Sequence, residues 1–133
     1  MRLPASLRGG LYATGGLVAA SGSLWLVVHD ASRRLAVTCL EIHGIAAMAL
    51  LVLVGAAAAL HAPTGWRERR NRASGAILST ALVVLMATGA LLYYLGDEGA
   101  RSAASFAHWT AGLAAVALAV LHVWRGRRGQ RAD

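Results

Sequence analysis

The stretch IHGIAAMALLVLVGAAAALHAPTGW, residues 42–66, runs for 25 residues without a formal charge between Glu41 and Arg67. A hydrocarbon core about 30 Å thick is crossed by about 20 helical residues rising 1.5 Å each, so this stretch is long enough to span it. A transmembrane β-strand would need only about half that length. Inside lipid every backbone N–H and C=O must find a partner within the protein, and a helix supplies those partners from its own segment. Working outward, uncharged windows recur at 9–29, 73–96 and 102–124, holding 21, 24 and 23 residues. They predict helices at about 9–29, 38–61, 73–95 and 103–124, within a single transmembrane domain covering 1–133. Connections of about six to twelve residues make consecutive helices antiparallel neighbours, so the expected fold is all-α: an integral membrane four-helix up-down-up-down bundle.

Composition agrees. The 133 residues are 57% apolar and 14% charged, with a mean hydropathy of +0.55, and so small a soluble globule could not bury that much apolar surface. One cysteine, Cys39, excludes an intrachain disulfide framework. The net charge is +7, carried by 13 arginines and no lysine. Ten of them, Arg2, Arg8, Arg67, Arg69, Arg70, Arg72, Arg125, Arg127, Arg128 and Arg131, fall on one side of the four spans. Arg33, Arg34 and Arg101 fall on the other, together with Asp30, Glu41, Asp97 and Glu98. Basic loops stay in the cytoplasm, so both termini are expected inside, and the basic charge reads as topogenic rather than as a nucleic-acid surface. Trp25, Tyr93, Tyr94 and Trp109 near the outer ends, and Tyr12, Trp66 and Trp124 near the inner ends, suit interfacial belts. A cleavable signal peptide over residues 1–29 is not expected, because its apolar run exceeds a secretory h-region.

The five histidines, His29, His43, His61, His108 and His122, cluster at the ends of the spans. Coordinating side chains in a spanning segment are costly unless they face the protein interior, which makes each a candidate site residue. His29 beside Asp30 reads as a rim anchor. His108 and His122 stand 14 residues apart, within about 40° of one helical face, and His43 and His61 stand 18 apart, five whole turns. The second and fourth helices run the same way, so His43 and His108 share the outer level, and His61 and His122 the inner. Facing imidazoles are the axial pair of a b-type haem, and levels about 21 Å apart admit two haems stacked across one membrane. Intervals of 14 and 18 cannot both be level in straight parallel helices. Tilt absorbs the mismatch, or His29 replaces His43 as outer ligand, or His61, just before Ala62-Pro63, is a rim residue and one haem binds. Gly75 and Gly89 repeat the 14-residue interval, and with Gly9, Gly10, Gly15, Gly16, Gly22, Gly44 and Gly112 they are expected to leave room for a flat macrocycle.

Four segments carry a family likeness: HWTAGLAAVALAVLH at 108–122, EIHG at 41–44, LHAP at 60–63 and ATGALLYYLGDE at 87–98. With these the chain resembles the four-helix b-type cytochromes of bacterial membranes, the cytochrome b561-like and respiratory di-haem cytochrome b group, over nearly its whole length. The resemblance implies residence in a bacterial inner membrane and bis-histidine ligation of haem b iron by His43, His61, His108 and His122. It also implies electron exchange with quinone and with a partner redox subunit, as a homo- or hetero-oligomer. Arg33, Arg34, Arg67 and Arg125 are candidates to pair with haem propionates. Two other readings stand beside it. Cys39 and His43, with Glu41 nearby, are soft metal ligands at i, i+4 that lack the remainder of a tetrahedral set. A haem-free anchor or assembly subunit needs only the Gly/Ala-rich faces. Ser21, Ser23, Ser79, Thr80, Thr88 and Thr110 are expected to bond across helices or back onto their own helix rather than act as nucleophiles.

Overall fold

The computed structural model describes residues 3–69 and 71–129, and the chain there is helical throughout apart from short connections and ends. Four helices follow one another: α1 (Ala5–Val28), α2 (Arg33–Arg67), α3 (Arg72–Tyr94) and α4 (Glu98–Gly129). No strand occurs among the described residues. All four helices are long and apolar enough to cross a membrane, so the protein is all-α and reads as a multi-pass membrane protein. Arg2, Arg70 and Arg131, part of the arginine bias, lie outside the described residues.

The helices overrun the uncharged windows, and the connections shrink to 29–32 and 95–97 instead of six residues or more. The residues that bound the apolar runs explain this. Arg33, Arg34, Glu98 and Arg101 are good helix formers, and a helix leaving hydrocarbon for water has no reason to unwind at the first charge. The new starts are capped: Ser32 Oγ accepts from Leu35 N–H at 3.4 Å, and Asp97 Oδ1 accepts from Ala100 N–H at 2.7 Å. Glu98 in the first turn of α4 and Arg127 and Arg128 in its last oppose the helix dipole at both ends. The Arg128 guanidinium also lies 3.8 Å over the Trp124 ring. Likewise α2 continues through Pro63 to Arg67, six residues past the expected end.

The chain forms two antiparallel hairpins, residues up to Glu68 and residues from Arg69 onward. In the first, α1 packs on α2; in the second, α3 packs on α4. The second has a constant register: Asn71 meets Gly126, Gly75 meets His122, Leu85 meets Gly112 and Gly89 meets His108, each step along α3 matching one step back along α4. In the first, Gly22 meets His43 and Gly10 meets Leu53.

Only small residues are buried in these seams: Ala36, Cys39, Ala46 and Ser21 in the first hairpin, Ser74, Ala104 and Ala115 in the second. Large apolar side chains point away, with Ile45 75% and Val52 72% exposed within the chain. A soluble protein would be inside out by this measure. In lipid the tails solvate Leu and Val as well as a core would, so helices gain most by bringing small residues and backbones close, while large side chains contact the bilayer.

Candidate functional site

Three histidines occupy one kind of site. Each projects from the second helix of a hairpin against a glycine on the first, and the residue just before that glycine carries a hydroxyl within reach of Nδ1. On α2, His43 lies against Gly22, where an added methyl would stand 3.0 Å from its Cε1 and 3.1 Å from its Nδ1. Its Nδ1 is 3.0 Å from the Val18 carbonyl oxygen and 3.4 Å from Ser21 Oγ. On α4, His108 lies against Gly89, with 3.3 Å between an added methyl and Cε1, and Thr88 Oγ1 is 2.9 Å from its Nδ1. Fourteen residues on, His122 lies against Gly75 at 3.5 Å, with Ser74 Oγ 3.0 Å from its Nδ1. Asn71, in the left-handed region at φ 56°, adds two contacts: its Nδ2 donates to the His122 carbonyl at 2.9 Å and lies 3.2 Å from Nδ1.

The hydroxyls explain their own burial. Ser21 is 6% exposed and Ser74 3%, values an alanine would suit unless each polar group were satisfied. Ser21 donates to the Leu17 carbonyl at 2.7 Å, Thr88 to the Val84 carbonyl at 2.7 Å, and Ser74 to Asn71 Oδ1 at 2.5 Å. Thr80 and Thr110 bond back to their own helices, at the carbonyls of Ala76 and Phe106. Among the described residues no buried side-chain polar atom lacks a partner.

The other two histidines are placed differently. His29 is held by its own neighbourhood: Nδ1 3.1 Å from the Leu26 carbonyl, Nε2 3.3 Å from Asp30 Oδ2, and its ring stacked on Trp25 with centroids 4.7 Å apart. His61 is exposed, although it shares a helical face with His43. Continuing the Gly22–His43 and Gly10–Leu53 register, its counterpart would fall ahead of Ala5, where α1 begins. The stripe is present, but its second member has outrun the partner helix.

Gly22, Gly75 and Gly89 lie against imidazole rings of their own hairpins, and the matched 14-residue intervals on α3 and α4 follow from antiparallel register. Gly9, Gly15 and Gly16 face open space, while Gly10 meets Leu53 and Gly112 meets Leu85. Ser74 and Asn71 went unnoticed in the sequence. Their signal was a Ser-Gly or Thr-Gly pair set 14 residues from another on a span facing paired histidines, although Thr14-Gly15 and Thr64-Gly65 show that the dipeptide alone decides nothing. Cys39 is buried one turn before His43, and among the described residues no three His, Cys, Asp or Glu side chains gather to hold a metal ion. Arg33 opens α2, Arg34 follows it, Arg67 closes it and Arg125 lies near the end of α4.

Chemically, these histidines suit axial ligation. A ligating imidazole must be neutral and must bind through one nitrogen while the other is held by a hydrogen bond that fixes its tautomer and plane. His43, His108 and His122 each have Nδ1 within hydrogen-bond distance of an oxygen on the neighbouring helix. Compared with protein-family models, with curated proteins and with solved structures, the chain matches none.

Proposed function

We propose that the chain is a membrane electron-transfer cytochrome that binds b-type haem through histidine. The single observation that supports it most is the pair on α4: two imidazoles 14 residues apart, each with Nδ1 held by a hydroxyl of α3 and its ring against a glycine. His43, on the first hairpin, and His108 and His122, on the second, are the proposed ligands of haem iron. Bound haem iron would alternate between ferrous and ferric states, one electron at a time. We further propose quinone or quinol and a partner redox protein as exchange partners, and a bacterial inner membrane with both termini in the cytoplasm, the last resting on the arginine bias.

The same hydrogen bonds tie each hairpin together, which is all a haem-free anchor or assembly subunit would need. A pyridine haemochrome spectrum of the purified chain from haem-replete cells separates the two readings. Stoichiometric haem with a reducible α-band supports the cytochrome; its absence leaves the anchor.

A further inference from the structure

The register of the second hairpin brings two basic segments to one place. Asn71 Nδ2 donates to the His122 carbonyl at 2.9 Å and lies 3.8 Å from where a methyl on Gly126 would stand, so the start of α3 is seated on the last turns of α4. Arginines flank both partners of that contact: Arg69 and Arg72 beside Asn71, and Arg125, Arg127 and Arg128 beside Gly126. At about 100° per residue, Arg125 and Arg127 stand to either side of the Gly126 contact, while Arg128 and Trp124 share the face of α4 turned away from α3. Arg69, Arg125, Arg127 and Arg128 are exposed, and Arg72 is half-buried. Among the described residues of this hairpin the acids are Asp97 and Glu98, at its opposite end, and Glu68 just precedes Arg69.

Orienting a membrane protein requires basic residues near the ends of its spans, not their convergence on one spot. Guanidinium groups brought together repel one another, and a phosphate among them removes that cost while accepting paired N–H bonds. Trp124 supplies the depth. An exposed indole at the end of a span marks the headgroup layer, and the Arg128 guanidinium lies 3.8 Å over its ring, with N–H groups to spare for an anion. We infer that this end of the second hairpin binds the phosphate of an anionic phospholipid in the adjoining leaflet, with Arg69, Arg125, Arg127 and Arg128 as the cationic groups. The inference rests on the membrane reading of the four helices and is independent of haem.

The test is native mass spectrometry of the full-length chain in detergent micelles, titrated with phosphatidylglycerol or with phosphatidylcholine and read as the affinity of the first lipid bound. One arginine at an anionic surface is worth about a fivefold change in affinity, so phosphatidylglycerol should bind at least that much more tightly. The preference should vanish in the triple variant Arg125→Gln/Arg127→Gln/Arg128→Gln and persist in Arg33→Gln/Arg34→Gln, which alters the start of α2. Losses from Arg69→Gln and Arg127→Gln should combine less than multiplicatively, because both arginines serve one lipid. Equal affinities for the two lipids in the unaltered chain overturn the inference, whether or not any variant folds. It is also overturned by a triple variant that keeps the preference, or by an Arg33→Gln/Arg34→Gln chain that loses as much. Glycerophosphoglycerol, the same headgroup without acyl chains, should bind far more weakly; binding as tight as the lipid's would assign the cluster to a soluble anion instead.

Discussion

The two hairpins are built on one plan and differ in how far it is carried through. In α3–α4 the register is constant from Asn71–Gly126 to Gly89–His108, and it carries two histidine sites about 21 Å of helix apart. In α1–α2 the plan appears once, at Ser21, Gly22 and His43. At the other end of that hairpin His61 lies beyond the start of α1 and is exposed. Spacing of histidines along one helix is therefore only half of a site. The other half is a small residue and a hydrogen-bonding group at the matching step of the neighbouring helix, as Gly22, Gly75 and Gly89 and the hydroxyls before them provide.

Substitutions test this contrast, beginning with the largest effect. His108→Ala should abolish the haem α-band or reduce haem content by one equivalent, whereas His61→Ala should leave the pyridine haemochrome stoichiometry unchanged. Equal losses from the two would erase the proposed difference between a half-buried histidine set against a glycine and an exposed one. Smaller effects should follow from filling the glycines. At Gly22 a methyl would meet His43 at 3.0 Å, at Gly89 it would meet His108 at 3.3 Å, and at Gly75 it would meet His122 at an ordinary 3.5 Å. Gly22→Ala should therefore destabilise its hairpin by about 1–3 kcal/mol, as overpacking of a close contact does. Gly89→Ala should cost less, and Gly75→Ala should be neutral or slightly stabilising, because alanine is the better helix former by about 1 kcal/mol. Steric-trap or denaturant unfolding in bicelles would rank the three, and a Gly75→Ala variant weaker than Gly22→Ala would break the geometric ordering. The smallest change belongs to His29→Ala, whose imidazole is 39% exposed and bonded only to its own turn and to Asp30. Unfolding free energy should move by no more than about 0.5 kcal/mol, the usual range for surface positions.

The spans were plain in the sequence because the cost of burying charge in lipid makes charged residues natural boundaries of the apolar runs. Helix ends were less plain. Arg33, Arg34, Glu98 and Arg101 bound the uncharged windows yet belong to helices, since a charge that ends a membrane segment need not end the hydrogen-bond ladder. Of the candidate site, the 14-residue stripe on α4 and its echo at Gly75 and Gly89 were visible as a coincidence of numbers. That each glycine lies against an imidazole of the same hairpin is visible only in the structure. Ser74 and Asn71 drew no notice because a serine and an asparagine at a span's edge look like ordinary interfacial polarity. Only contact with a residue 48 or 51 positions away distinguishes them.

What the sequence by itself determined, then, is the solvent of this protein: four apolar segments whose backbone bonds must close within themselves, and therefore four helices. Which glycine and which hydroxyl lie beside each of His43, His108 and His122 was decided only when helices paired. Helical periodicity is local and repeats along any one segment, whereas antiparallel register is a property of two segments together, and it alone says which glycine and which hydroxyl arrive opposite a given ring.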